Sequence, residues 1–288
     1  MHRKTGYHLL DSGEFRKLEQ VGPYRLIRPC PQAVWRPTLS AAEWAKIDGE
    51  FTRTSTGNGK WKTQRSLPEH WLMDFHGANI RVRPTDFGHL GFFPEHHFHG
   101  VIPWAKTQPA ESLRKLHVLH LFAYTGTLSI SLEAMGMQLS HVDASKTSIA
   151  WGKENAELHP DSAKLSIRWL LDDAFKFVQR EVRRGQKYEG IILDPPSFGR
   201  SPQGKVWKIE EHLLPLLDEL AKLKSPKFTF LQLTSHSSFY TPVVLENLAD
   251  MVWGKEPKTS TAFEMTVPEA QSRRLLPCGA GSWTARKG

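Results

Sequence analysis

The chain has 288 residues, 39% hydrophobic and 24% charged, enough to bury about three quarters of its unfolded surface in one large core or two smaller ones. No apolar run reaches the roughly 20 residues of a membrane span, and the start MHRKTGYHLLDSGEFRKLEQ lacks the apolar stretch of a secretory leader, so a cytoplasmic protein with no membrane association is expected. Two distant cysteines, Cys30 and Cys278, point away from a disulfide framework or a cysteine zinc site, and a formal charge of +8 favours a polyanionic partner such as nucleic acid.

Residues 1–100 read as a β-rich domain or cap. Short strand-like runs, YHLL, YRLIRP, NIRVRP and LGFF, are punctuated by Gly, Pro, Asp and Asn. Thr52 to Trp61, TRTSTGNGKW, reads as an exposed loop, and LSAAEWAKI as a short helix capped by Ser40. Trp35, Trp44, Trp61 and Trp71 suit either a platform for unpaired bases or the core of a domain poor in aliphatics.

Residues 101–288 form the second region, in which strand and helix alternate from about Leu116. HVLHLFAY is a buried strand, TLSISLEAMG a helix closed by Gly136, and QLSHVDAS a second strand. A helix over KTSIAWGKENAELH leads to a third strand, KLSIRWLLDD, and AFKFVQREVRRG is a helix stopped by Gly185. YEGIILDPPSFG is a fourth strand, KIEEHLLPLLDELAKLK a helix that begins or kinks at Pro215, and KFTFLQLTSHS a fifth strand. After a further amphipathic stretch, TAFEMTV and GSWTAR are candidate strands of an edge hairpin. This order predicts an α/β fold with a mostly parallel sheet covered on both faces, and ligands beyond the carboxyl ends of its strands.

Four strand ends carry the candidate chemistry. Gly126 stands where the first strand turns into a helix, so its missing side chain gives a ligand room to approach the backbone. A dinucleotide site uses three glycines, and FAYTGTLS has one. Asp143 ends the second strand, where a carboxylate accepts from both hydroxyls of a ribose; a helix-capping role is its alternative. Asp172 and Asp173 end the third strand, and either one accepts from an adenine amino group or caps the next helix. Asp194 is followed by Pro195 and Pro196, which fix the turn while leaving their carbonyls as acceptors, and Phe198 can stack on a flat base.

Together, VLHLFAYTG, HVDAS, DDAF and ILDPPSFGR resemble the class I S-adenosylmethionine-dependent methyltransferases, specifically the bacterial family that includes large-subunit ribosomal RNA methyltransferases with a DPPSF strand end. The likeness covers residues 85–240. It implies a Rossmann-like sheet, S-adenosyl-L-methionine as cofactor and RNA, of the ribosome, as partner. By the same resemblance Phe122, Tyr124 and Gly126 lie at the methionine and ribose side, Asp143 with Ala144 at the ribose, and Asp172 or Asp173 beside adenine. Asp194, Pro195 and Phe198 stand between cofactor and acceptor in catalytic positions, with Asp194 also touching the cofactor. The family's FLDQR segment is here FFPEHHFHG, in which Glu95 keeps the acid while His96 and His97 replace glutamine and arginine.

Adjacent His96, His97 and His99 on an extended segment aim poorly at one ion, so no metal is expected. The family's carbon-methylating members carry a cysteine where this chain has LTSHS, which disfavours carbon-5 methylation; His236 there serves as a base or orients the acceptor. Arg180, Arg183, Arg184, Lys187 and Arg200 form a candidate phosphate-facing set. A small-molecule methyltransferase and a non-catalytic RNA-binding protein are the rival readings, and a homodimer is left open.

Overall fold

The computed structural model describes residues 6–53, 59–64, 66–200 and 206–287, and the backbone alone of Arg200. The chain divides into two compact units: Met1–Glu95, Leu158–Pro160 and Thr266–Cys278 form one, and His96–Glu157, Asp161–Met265 and Gly279–Gly288 the other.

The first unit carries a five-stranded sheet, β1 (Tyr7–Gly13), β2 (Arg16–Val21), β3 (Tyr24–Pro29), β4 (Gly49–Arg53) and β5 (Gly59–Thr63), in that spatial order. Helix α1 (Ala41–Trp44) precedes β4, and Ser40 caps it by accepting from the Glu43 N–H, as its sequence suggests. The pair β6 (Trp71–Phe75) and β7 (Ala78–Val82) forms a separate hairpin. Within Thr52 to Trp61, residues 52–53 and 59–61 are strand, and residues 54–58 lie outside the described part. LGFF is not a strand, although Leu90 and Phe92 are buried.

The tryptophans of this unit are structural. Trp44 and Trp71 are buried, and four indole N–H groups have internal acceptors: Trp35 on the Ser12 carbonyl, Trp44 on Asp11, Trp61 on the Thr85 carbonyl and Trp71 on the Val21 carbonyl. Such rings add apolar area to the core while their polar edges stay satisfied.

The second unit is a doubly wound α/β layer structure. After α2 (Val101–Ala105) and α3 (Ala110–Leu113) come β8 (His117–Leu121), α4 (Thr127–Ala134), β9 (Gln138–Asp143), α5 (Lys146–Glu157), β10 (Arg168–Leu171), α6 (Ala174–Arg183) and β11 (Gly190–Leu193). A small hairpin, β12 (Phe198–Arg200) and β13 (Val206–Lys208), leads into α7 (Ile209–Ala221), β14 (Phe230–Ser235) and α8 (Pro242–Trp253). The long strands β15 (Lys258–Pro268) and β16 (Leu275–Arg286) finish the chain. Pro215 lies inside α7 and does not begin it.

The sheet order is β10-β9-β8-β11-β14-β16-β15, parallel from β10 to β14 and antiparallel between β14 and β16. Leu119, Leu121, Ile191 and Leu193 pack with α6, α7 and α8, whereas Val118 and Ile192 pack with α2, α3 and α4. Burial on both faces explains why GIIL reads as a continuous apolar run without alternation, and why even Gln232 of FLQL is buried. The chain winds outward from β8 to β10, then returns to place β11 on the other side of β8. Strand order thus reverses between β8 and β11, which opens a crevice at their carboxyl ends.

One buried ion pair ties β2 to β3 in the first unit. Glu19, fully buried, takes two bonds from Arg28, at 2.6 and 2.7 Å, one from the Tyr7 hydroxyl at 2.9 Å, and lies 3.2 Å from Lys17. Burial raises its carboxyl, but the charges of Arg28 and Lys17 and the bonds it accepts outweigh that and hold it at about 2, against an ordinary 4.5. A depressed carboxyl stabilises the fold in full above the ordinary value and loses that contribution as pH falls toward the folded value. Urea unfolding followed by tryptophan fluorescence should show about 3 kcal/mol disappearing between pH 4.5 and about 2. Glu19→Gln should remove that acid limb and cost about 3–5 kcal/mol at neutral pH, because it strands the Arg28 charge in the interior.

Candidate functional site

The turn after β8 is bent by three left-handed residues within five: Phe122 (φ 55°), Tyr124 (φ 53°) and Gly126 (φ 77°). Side-chain-bearing residues in this region cost about 1–3 kcal/mol each and persist where neighbours over-determine them. Strand β9 does so here. The Ala123 N–H donates to the Val142 carbonyl at 3.2 Å, and the Tyr124 N–H donates to Asp143 Oδ2 at 2.8 Å.

Gly126 has a reason beyond its backbone angle. A Cβ there would stand 2.8 Å from Cη2 of Trp169 in β10, and one at Gly152 of α5 would stand 2.5 Å from Cζ3 of the same indole. The space a side chain at this position would need is therefore filled by Trp169. Trp169 is visible in the sequence only as one more apolar strand residue.

Beneath the turn runs a buried chain of polar side chains. His120 Nδ1 lies 2.8 Å from Ser129 Oγ, Ser129 Oγ lies 2.9 Å from His141 Nδ1, and His141 Nε2 lies 3.2 Å from the Tyr124 carbonyl oxygen. A carbonyl only accepts, so His141 carries its proton on Nε2; its Nδ1 then accepts from the Ser129 hydroxyl, which in turn accepts from His120 Nδ1–H. Burial keeps both rings neutral: His141 is pushed down to about 3, and His120 well below its ordinary value. The chain braces the Tyr124 peptide from below.

At the end of β9, Asp143 accepts from two backbone amides, Tyr124 on Oδ2 and Ser145 on Oδ1, each at 2.8 Å. Burial raises its carboxyl, and the two amides oppose this. A carboxylate offers about four lone-pair sites, so each oxygen keeps one for a vicinal hydroxyl. Ala144 follows, half-buried.

The two aspartates after β10 are more committed. Asp172 forms a close ion pair with Arg180 through Oδ2 and accepts from the Asp173 N–H at 2.9 Å through Oδ1. Asp173 caps α6 by accepting from the Lys176 N–H at 3.0 Å. Arg184 lies 3.2 Å from Glu181, and Lys187 donates to the Lys222 carbonyl. Three members of the candidate phosphate-facing cluster thus have protein partners, and the Arg200 side chain lies outside the described residues.

Asp194, at the tip of β11, is the centre of the second turn. Its Oδ1 accepts from the Thr234 hydroxyl at 2.8 Å, and its Oδ2 faces His96 Nε2 at 3.3 Å and His236 Nε2 at 3.4 Å. Burial would raise this carboxyl, but the charges and hydrogen bonds of His236 and His96 together hold it well below the usual range. Pro195 is buried and Pro196 exposed. The Pro196 carbonyl accepts from the Trp207 indole at 2.7 Å, Ser197 and Ser237 share a 2.6 Å hydroxyl contact, and Phe122 packs on Trp207 with ring centroids 4.8 Å apart. Phe198, 58% exposed, leaves the turn on β12, with its backbone paired to Lys208.

The histidines ahead of α2 diverge. His96 faces Asp194, His97 lies 3.1 Å from Ser131 Oγ, and His99 stacks on Phe263 at 5.1 Å between centroids. Glu95 belongs to the first unit and is buried there. The structure thus gathers Phe122, Tyr124, Gly126 and Asp143 at one clamped turn and Asp194 to Phe198 at the neighbouring strand end. His96 as a partner of Asp194 was not legible, because 98 residues separate them.

No family model matches the chain. It is 29% identical over 157 residues to the ribosomal RNA large subunit methyltransferase K/L of Pseudoalteromonas translucida, a match covering 54% of this chain and 21% of that protein. A similar protein from Magnetococcus marinus is 28% identical over 152 residues, 52% of this chain and 20% of the relative. The chain therefore spans about one fifth of the length of these curated relatives. Among solved structures, SMU.776, a methyltransferase in complex with S-adenosylhomocysteine, shares the fold at TM-score 0.72 and 17% identity, over 98% of this chain and 75% of that one. The S-adenosylmethionine-dependent methyltransferase of Agrobacterium tumefaciens is 36% identical, with TM-score 0.89, over 98% of this chain and 90% of its own. Relatedness at that level over nearly both entire chains, together with the paired turns at the strand-order reversal, shows that this chain belongs to the S-adenosylmethionine-dependent methyltransferases.

Proposed function

We propose that the protein methylates a nucleobase of ribosomal RNA. The observation that carries this reading is the pairing of the clamped FAYTG turn on β8 with the acidic, double-proline turn on β11, two adjacent strand ends at one topological switch point. The named activity of the K/L relatives supports the choice of ribosomal RNA, and the excess of basic residues suits such a partner.

Bound S-adenosylmethionine supplies a methyl group already activated by its sulfonium. The chain's own task is to hold and orient. Asp143 grips the ribose hydroxyls with the lone pairs its amide partners leave, and Ala144 lines that edge. Phe122, Tyr124 and Gly126 shape the wall for the methionine side. Asp172 and Asp173 border the adenine, Asp173 while capping its helix.

At the second turn, Asp194 acts through its charge. An acceptor nitrogen gains positive charge as the methyl arrives, and a buried, ionised carboxylate nearby stabilises it. The rigid Pro195 carbonyl accepts from an N–H edge of the base, and exposed Phe198 offers a face for stacking. Methylation at carbon 5 of a pyrimidine needs a thiolate. Cys30 is buried, and the Cys278 thiol is pushed up, first by burial and then by Glu95, so neither is an activated nucleophile.

Incubating the protein and radiolabelled cofactor with ribosomal RNA from cells lacking it, then digesting to nucleosides, should place label in a methylated nucleoside other than 5-methylcytidine. Label confined to small molecules would overturn the reading. Asp143→Asn should weaken cofactor binding in calorimetry by about tenfold or more, the worth of one to two charge-assisted hydrogen bonds, and lower stability by about 1–3 kcal/mol, because its amide NH2 must face the Tyr124 or the Ser145 N–H. Ser129→Ala should lower stability by about 1–3 kcal/mol in urea unfolding, since it strands a buried donor and a buried acceptor, and should also loosen cofactor binding by freeing the Tyr124 peptide.

A further inference from the structure

We propose that His96, Asp194 and His236 form a three-donor site for one divalent transition-metal ion. The three come from separate segments: the tight turn Pro94–His97, the tip of β11, and the residue after β14. Their donor atoms, two imidazole Nε2 and one carboxylate oxygen, lie within 4.8 Å of one another.

The spacing suits ligation, with both imidazole Nε2 atoms at 3.3 and 3.4 Å from the same Oδ2. Two ligand atoms at about 2.0–2.1 Å from a tetrahedral ion stand about 3.3–3.4 Å apart. The supporting contacts agree: Thr234 holds Oδ1 at 2.8 Å, leaving Oδ2 to the imidazoles, which is how a single-oxygen carboxylate ligand is oriented. The two rings are nearly perpendicular, at 84°, and do not stack on each other.

Two imidazoles and a carboxylate suit zinc, cobalt or nickel better than magnesium or calcium, which prefer oxygen donors. Three protein ligands leave at least one position for water or an acceptor heteroatom. The site stands on this geometry and not on the RNA reading. Where that reading also holds, an ion here adds two positive charges beside Asp194, opposes the charge growing on the acceptor nitrogen, and slows methyl transfer.

The test uses the full chain, stripped with chelator and titrated with Co²⁺ while the visible d–d bands are followed. One equivalent should saturate the signal, and Zn²⁺ should displace it. His96→Ala and His236→Ala should each weaken binding by about 10- to 100-fold or more, the range known for losing a group that supports a metal site. His70→Ala, at an exposed histidine of the first unit, should leave it unchanged. Asp194→Asn provides a near-isosteric check. Circular dichroism and cofactor calorimetry on the metal-free variants establish that each is folded. Absence of saturable Co²⁺ binding, or undiminished binding in folded His236→Ala, overturns the site. Cofactor binding and RNA labelling of the metal-free protein report on the methyltransferase reading separately.

Discussion

The second unit depends on a constraint of parallel sheets: strands that run the same way need crossovers, and the crossovers from β8 and from β11 lead to opposite sides. No helix can then cover both strand ends at once. The turns that follow Leu121 and Leu193 are left side by side. Both are unusual in backbone, one through left-handed residues and the other through consecutive prolines, and both are held by hydrogen bonds from the neighbouring strand.

The four acidic strand ends show how one residue type takes different parts according to its partners. Asp143 accepts only from backbone amides and retains acceptor capacity on both oxygens. Asp172 is neutralised by Arg180, and Asp173 terminates its own helix. Asp194 is drawn between a hydroxyl and two imidazoles, so its charge is kept and its direction is set. Desolvation keeps His120 and His141 neutral beneath the first turn, whereas His96 and His236 both face the Asp194 carboxylate.

The first unit packs aliphatics such as Leu18, Val21, Leu26, Ile80 and Val82 together with buried Trp44 and Trp71, whose indole N–H groups are satisfied inside, and holds a fully buried Glu19 with Arg28 as its partner. A buried pair of this kind contributes little against an apolar core but is costly to break. It therefore enforces the β2–β3 register more than it adds to net stability.

Much of the α/β unit was legible because its signals are local. Apolar runs four to six residues long, helix periodicity, a glycine after the first strand and prolines after the fourth each follow from the chain's own φ preferences and side-chain spacing. The strand ends with Asp143 and Asp194 were readable for the same reason, as was the Ser40 cap. What tertiary structure alone decided are the pairings across long separations: Trp169 filling the space beside Gly126 and Gly152, His141 bracing Tyr124 through the turn, and His96 meeting His236 at Asp194. The same holds for the tryptophans, whose identity as core or platform turns on which carbonyl each indole reaches. Sequence specifies what each segment prefers by itself; which distant side chain finally sits against it is set by how the layers pack, and that choice made Asp194 the meeting point of three segments.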